Sequence, residues 1–389
     1  MTVFYFTNLS FPDGGMASGN RVLHLARGLV SKGIKVIVLS PFSDSGKAER
    51  FERDGIVFHS FCRGHNEGLR QKIVSSFLYP LKAFRVLRRE REKETLIYSY
   101  TGNIFHEVAA CLFSRLLKMP IAREGCEFPY TVLAHAPRIL QWLEVKFCMR
   151  FYAGVVAITQ SLEEYYRKVA RRGCDVIHIP MTVDCDRFAG QVERPFDFDY
   201  IAYTGSMNRK GGGVDVLVKA FSILAKDYPD LHLVLIGKGS FRRQDELLGL
   251  SSADVRKRIH CLFSGTIPAD DMPRYIKNAK ILTMLPSLTF QQEGCFPTKL
   301  GEYLASGVPT LVTQIGIPAK ILVNRENVFF TPPDDPVRAK EILSEMLVDY
   351  ATAKGVAGSA MGFAKQHFHY ALFANQMADW VSRIIGGGK

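Results

Sequence analysis

The sequence predicts an α/β protein made of two doubly wound domains, and three observations predict it. Strand and helix signals alternate along the chain, a second such series restarts near residue 199, and about 100–200 residues per domain divides 389 residues into two domains or three. With 47% hydrophobic and 23% charged residues, the composition is that of a globular chain able to bury a sizeable core.

Taken in order, 3–7 reads as a short apolar strand, followed by a loop over 11–19 that carries Gly14, Gly15 and Gly19. Residues 20–32 read as a helix, with Val22, Leu25, Ala26 and Leu29 at helical spacing and Gly33 as its stop. The near-continuous apolar run 34–39 suits a strand buried on both faces of a parallel sheet. A strand at 57–61 precedes a long basic amphipathic helical stretch, 69–94, expected to be interrupted at Pro80. Strands at 96–100, 121–123, 154–158 and 176–179 complete the first series. Residues 184–195 show no sustained periodicity and read as a linker. The second series opens with a strand at 199–204, a glycine-rich loop at 205–213 and a helix at 214–227. Strands at 231–236, 259–263, 279–284 and 310–313 continue it. A last helix, 366–385, presents Phe368, Leu372, Met377, Trp380, Val381 and Ile384.

Several function classes drop out. No apolar run approaches a bilayer span, and the N-terminus lacks the basic region and cleavage site of a signal peptide, so neither an integral membrane protein nor a secreted one is expected. The eight cysteines form no C-x-x-C pair and no Cys/His cluster at zinc spacing, which fits reduced cytoplasmic thiols and no structural metal. The loop over 14–19 is neither G-x-G-x-x-G nor a Walker sequence. The second strand ends in Leu39-Ser40-Pro41-Phe42 without the acid that would bind a ribose hydroxyl, so a dinucleotide enzyme is disfavoured. The net charge of +12 points to an anionic partner, and it is uneven: +9 over residues 1–185 and +3 over 186–389.

The second half carries the more specific chemistry. Thr204-Gly205-Ser206-Met207-Asn208-Arg209-Lys210-Gly211 leaves a strand and enters a helix; small residues permit close backbone approach, and Arg209 or Lys210 can neutralise a diphosphate. Further on stands Glu293-Gly294-Cys295-Phe296-Pro297-Thr298-Lys299-Leu300-Gly301-Glu302. Pro297 suits the first turn of a helix, whose free N–H groups at Thr298 and Lys299 would face a phosphate. Glu302, one turn beyond Thr298, offers a carboxylate to two vicinal sugar hydroxyls.

This chain resembles family 4 glycosyltransferases of the GT-B fold over nearly its whole length. Gly294 to Pro309 looks like the donor-sugar signature, and Gly14-Gly15 with Arg21 and Leu25-Ala26-Arg27-Gly28-Leu29 looks like the N-terminal loop and first helix. Ala157-Ile158-Thr159-Gln160-Ser161 and Ile177-His178-Ile179-Pro180 look like the crossover, and Leu235-Ile236-Gly237-Lys238-Gly239 and Phe263-Ser264-Gly265-Thr266-Ile267 like strand ends around the nucleotide. The resemblance implies two Rossmann-like domains facing a cleft, with the boundaries 1–185 (acceptor side, joined by 366–389) and 186–365 (donor side). It implies transfer of a sugar, with retention, from a UDP- or GDP-linked donor to an acceptor hydroxyl on a glycan or lipid-linked molecule, in cell-surface polysaccharide or glycolipid assembly. Arg209 and Lys210 would bind the diphosphate, Glu302 the ribose, and Thr266 and Ile267 would face the base. Gly205, Gly294, Cys295, Phe296, Thr298 and Lys299 would border sugar and phosphates, and Gly14 and Gly15 would approach from the other domain.

Two departures stand out. Relatives often carry two glutamates separated by seven residues; here Gly294 stands eight positions before Glu302, and Glu293 is one residue early. Many relatives place a histidine after the strand at 121–123, where this chain has Arg123, Glu124 and Glu127, which become candidate acceptor contacts or structural ion pairs. No cofactor or metal is expected, since no obvious D-x-D stands in a candidate site loop, and Asp184-Cys185-Asp186 lies at the crossover and reads as hinge structure. The basic amphipathic stretch at 69–94 suits an anionic bilayer, so a cytoplasmic protein peripheral on the inner face of the membrane is expected, and no nucleic-acid motif accompanies it. The alternative reading is a catalytically inactive GT-B protein that binds sugar or a membrane surface.

Overall fold

The computed structural model describes residues 1–11, 17–43, 49–62, 69–129, 137–208, 211–263, 267–288 and 296–387. They fall into two units: Met1–Thr182 and Tyr370–Lys389, with Gly294–Phe296 grouped to them, and Val183–Glu293 with Pro297–His369. The first unit runs β1 (Thr2–Thr7), β2 (Ser10–Phe11), α1 (Ala17–Val30), β3 (Lys35–Ser43), β4 (Glu49–Arg53), β5 (Ile56–Cys62), α2 (Leu69–Glu90), β6 (Thr95–Tyr100), α3 (Ile104–Leu117) and β7 (Ile121–Gly125). It continues with α4 (Arg138–Trp142), a π turn (Leu143–Phe147), a 3-10 turn (Cys148–Arg150), β8 (Tyr152–Ala157), α5 (Gln160–Val169) and β9 (Asp175–His178). The second runs β10 (Asp199–Thr204), α6 (Val214–Leu224), β11 (Leu231–Gly237), α7 (Phe241–Leu248), α8 (Ala253–Arg256), β12 (Ile259–Phe263), α9 (Met272–Lys277) and β13 (Ile281–Met284). Then come α10 (Thr298–Ala305), β14 (Thr310–Thr313), α11 (Pro318–Ile321), β15 (Phe329–Thr331), α12 (Pro336–Val348) and α13 (Tyr350–His367), before α14 (Ala374–Gly386) rejoins the first unit.

The first sheet has the order β4-β5-β3-β1-β6-β7-β8-β9, with β2 beside β3; the second has the order β12-β11-β10-β13-β14-β15. Every pairing is parallel except β4 with β5. The apolar runs read from the sequence become the central strands because helices cover both faces of a parallel sheet and exclude water from every position; all six residues of β1 are buried. The charged segment Glu49–Arg53 carries no such signal. It forms an edge strand whose burial alternates between intermediate and exposed.

Two expectations change. Pro80 does not interrupt α2, because Tyr79, Ala83 and Leu87 are wholly buried and packing offsets the missing N–H. The stretch 366–385 is not one helix: α13 ends at His367, Phe368 leaves the helical region, and a 3-10 turn (Tyr370–Phe373) precedes α14. Phe368 is buried in the second unit and Leu372 is half exposed, whereas Met377, Trp380, Val381 and Ile384 lie in the first unit's core. No helix among the described residues is long and apolar enough to cross a membrane.

Trp380 fixes α14 to the sheet. Its indole is fully buried, crosses Tyr98 edge-on at 6.1 Å, and donates its Nε1–H to the Asp175 carbonyl at 3.0 Å. The slot exists because β8 has glycine opposite: a Cβ at Gly154 would lie 2.4 Å from Trp380 and 2.6 Å from Ile384. Trp380→Ala should therefore cost about 3–5 kcal/mol in chemical denaturation, and Gly154→Val should destabilise by overpacking the same slot. A loss below about 1 kcal/mol in both would mean that α14 is not held by this contact.

Candidate functional site

In the second unit the chain passes from β10 outward to β11 and β12, then returns to place β13, β14 and β15 on the other side. The reversal makes a crevice at the carboxyl ends of β10 and β13, the place where open α/β sheets bind ligands. The glycine-rich loop after β10 lies there, and three close approaches shape it.

Gly205 (φ +137°) and Gly237 (φ +143°) adopt backbone conformations that side chains rarely tolerate, and a Cβ at Gly237 would stand 1.9 Å from the Gly205 carbonyl oxygen. A Cβ at Gly213 would come within 1.8 Å of the Leu285 carbonyl. Hydrogen bonds then fasten the loop to its neighbours: Gly205 N to Ile236 O (2.7 Å), Met207 N to Lys238 O (2.7 Å) and Ser287 N to Gly211 O (2.9 Å).

α10 begins at this crevice. Pro297 is the N-cap residue (φ −73°, ψ 94°) rather than the first helical residue, and the cap lacks a side-chain hydrogen bond. The first-turn N–H groups and the helix dipole therefore give the start at Thr298 a positive character. Lys299 adds a full charge. Its Nζ lies 4.3 Å from the centre of the Tyr203 ring and donates to the Tyr203 hydroxyl at 3.3 Å, and it occupies the space that a Cβ on Gly205 would need, 2.2 Å away. Tyr303, on the buried side of α10, accepts the Thr204 N–H at 2.7 Å and so ties the helix to β10.

Glu302 sits one turn along, with 22% of its side chain exposed and its Oε1 3.5 Å from Arg187 Nη1. Burial raises its pKa, while Arg187 and Lys299 pull it back. Arg187 also donates to the Ala269 carbonyl at 2.6 Å. The sequence reading passed over Arg187, because one arginine in an irregular crossover has no periodicity to flag it. Its place beside Glu302 follows from a 3-10 turn (Cys185–Phe188) that packs on α10.

The structure thus brings Gly205, Thr298, Lys299 and Glu302 to one region of the second unit. Ile267 is half-buried just beyond the end of β12, and Phe296 is buried. Gly14, Gly15, Arg209, Lys210, Thr266, Glu293, Gly294 and Cys295 lie outside the described residues.

The three candidate acceptor residues on and after β7 have different surroundings. Arg123 pairs with Glu144 and lies over the Tyr152 ring at 5.7 Å. Glu124 is buried, accepting from Arg21 Nε (3.2 Å) and Nη2 (3.1 Å) through Oε1 and from the Tyr98 hydroxyl through Oε2. Both side chains are tied into structural ion pairs, whereas Glu127 is exposed. At the crossover, Asp184 accepts the Asp186 N–H (3.2 Å) and caps the 3-10 turn. Asp184, Asp186 and His369 cluster there as a set able to hold a metal ion. The Cys185 N–H points at His369 Nδ1 at 3.4 Å. His369 Nε2 stands 3.9 Å from Asp186 Oδ2.

Residues 199–349 match the family model described as glycosyl transferases group 1. A GDP-mannose-dependent α-(1-6)-phosphatidylinositol monomannoside mannosyltransferase of Mycolicibacterium smegmatis is 27% identical over 200 residues, 46% of this chain; the chain spans about half (50%) of the length of that curated relative. Among solved structures, sucrose-phosphate synthase of Thermosynechococcus elongatus superposes with a TM-score of 0.73 at 16% identity, covering 99% of both chains. Anabaena HepE in complex with UDP-glucose superposes at 0.70 with 16% identity, covering 98% of this chain and 99% of that one. The protein has the GT-B fold, and its residues 199–349 are similar to the group 1 glycosyl transferases.

Proposed function

We propose that this protein is a glycosyltransferase that moves a sugar from a nucleotide diphosphate sugar to an acceptor hydroxyl. One observation carries the reading: at the β10/β13 switch point a glycine loop cleared for backbone approach, the cationic start of α10 at Lys299 and a carboxylate at Glu302 come together. A diphosphate matches the first two features and the vicinal hydroxyls of a ribose match the third. In this reading Arg187 is a positioning residue that orients Glu302 and opposes the rise in its pKa that burial causes.

The transfer breaks the bond between the sugar's anomeric carbon and the diphosphate oxygen and forms a bond from that carbon to the acceptor oxygen. Negative charge grows on the leaving diphosphate, where Lys299, the start of α10, Arg209 and Lys210 stabilise it. With those cations in place the reading needs no metal. Retention of configuration, with the acceptor proton passing to a donor phosphate oxygen, follows the resemblance to family 4 enzymes. The UDP-glucose in the Anabaena complex and the GDP-mannose named for the mycolicibacterial relative support a UDP- or GDP-linked donor. The lipid named for the latter supports a glycolipid or lipid-linked glycan acceptor. Glu127, exposed beyond β7, is the acceptor contact in this scheme.

A thermal-shift panel of nucleotides and nucleotide sugars should show a rise in melting temperature with one diphosphate-linked family and none with nucleosides. Lys210→Ala and Glu302→Ala should each lower transfer by about 10²–10³-fold without loss of fold, as removal of a preorganised electrostatic group does. Full turnover in both would overturn the site assignment.

A pH dependence follows from Glu302. Its pKa is raised in the folded chain, so ionised Glu302 burdens stability above that pKa and the burden lifts as pH falls through it. Ribose binding needs the ionised form. Nucleotide affinity should therefore decline with acidification at a pH above the usual carboxylate range, and Glu302→Gln should abolish that limb. An identical limb in the variant would assign the titration to another group.

A further inference from the structure

α2, α3 and the segment formed by α4 and the π turn lie side by side over one face of the first unit's sheet. α2 packs on β3, β5 and α3, and α3 packs on β6, β7 and the π turn. Phe84 and Phe113 close the seam between the first two, with ring centroids 4.9 Å apart. Tyr79, Ala83, Leu87 and Ala110 fill the inner side.

The outer side departs from the usual division of an amphipathic helix. Phe77 is 72% exposed, Leu81 60%, Leu116 69%, Ile139 60% and Trp142 50%. Single exposed apolar side chains are ordinary, but large ones on three adjoining elements mark a contact surface.

Charge is sorted in the same unusual sense. Helix α2, helix α3 and residues 138–150 contain three acids, Glu90, Glu107 and Glu144. Glu107 is buried and accepts from Tyr152 (2.5 Å) and Ser99 (2.8 Å), and burial raises its pKa. Glu144 is buried against Arg123, and Glu90 accepts from Arg89 at 2.7 Å beside His59. Arg85, Arg88, Arg115, Lys146 and Arg150, by contrast, are exposed. A face kept soluble by its charges interleaves both signs. This one turns its acids inward and presents cations among apolar side chains.

We infer that this face docks the first unit onto an anionic lipid surface, with Phe77, Leu81, Leu116, Ile139 and Trp142 entering the headgroup region and the arginines and lysines meeting lipid phosphates. A lipid interface offers hydrocarbon and negative charge together, which matches the exposed apolar side chains and cations of this face. Nucleic acid offers phosphates without hydrocarbon, and a second copy paired through the same face would oppose cation to cation. The inference goes beyond glycosyl transfer and does not depend on it.

Sedimentation of the full chain with phosphatidylcholine vesicles, with and without phosphatidylglycerol, tests it. The parent should bind the anionic vesicles, lose that binding at high salt and bind neutral vesicles weakly. Replacing Arg85, Arg88 and Arg115 with Gln should lower partitioning by about fivefold per charge, on the order of a hundredfold for the triple variant. Replacing Leu81, Leu116 and Trp142 with Ser should weaken it again, and both variants should keep the parent's melting temperature and nucleotide-induced thermal shift. Failure of the parent to bind, equal binding to both vesicle types, or unchanged binding in both variants would overturn the inference. So would velocity sedimentation showing a parent dimer that the Ser variant dissolves. The preserved nucleotide shift separates any such failure from failure of the glycosyltransferase reading.

Discussion

The first unit depends on one buried guanidinium. Arg21, on the inner face of α1, donates to Glu124 of β7, to the Ile179 carbonyl at 2.8 Å and to the Pro180 carbonyl. Burial works against its charge, yet Glu124 beside it raises the pKa on balance. A guanidinium and a carboxylate taken out of water together are each an obligation on the other, because removing either partner of such a pair typically costs about 3–5 kcal/mol. The consequence is positional. One side chain holds a helix, a mid-sheet strand and the last residues before the chain leaves the unit in a single arrangement. His24, one turn further along α1, reinforces the exit by bonding the Thr182 carbonyl at 3.1 Å.

The second unit solves a related problem by opposite means. Its crevice is shaped by missing side chains: glycine at 205, 213 and 237 lets strand ends and loop approach within distances that any Cβ would forbid. Those absences expose backbone at the switch point and make room for the Lys299 ammonium over the Gly205 backbone. Glu302 is the one acid of α10, and Arg187 and Lys299 oppose the rise in pKa that its burial causes.

The uneven charge of the chain fits this arrangement. The proposed donor site asks for few cations, in keeping with the small surplus of the second half. In the first half Glu124 and Glu144 leave the surface together with Arg21 and Arg123, so those charges cancel, and the burial of Glu107 adds about one charge to the outward surplus. Composition counts charges; only burial decides which of them the solvent, a lipid or a ligand meets.

Much of the protein was legible in its sequence. The central strands, the two series, the glycine loop and the Thr298–Glu302 helix are all local signals: apolar runs for strands buried on both faces, glycine where φ is positive, and spacing that puts two groups on one helix face. Other features are set by contacts far apart in the chain, and no local pattern announces them. Pro80 stays inside α2 because the sheet below holds Tyr79, Ala83 and Leu87. Trp380 finds its slot because Gly154, more than two hundred residues earlier, has no side chain. Arg123 and Glu124, which read from sequence as open candidates for an acceptor, are drawn into ion pairs with Glu144 and Arg21, and Arg187 acquires its place beside Glu302. Sequence alone determined most of the elements and the residue types gathered at the proposed donor site. Tertiary structure decided which charges are free to use that chemistry, because a charge is committed only by the partners that folding brings within hydrogen-bond reach.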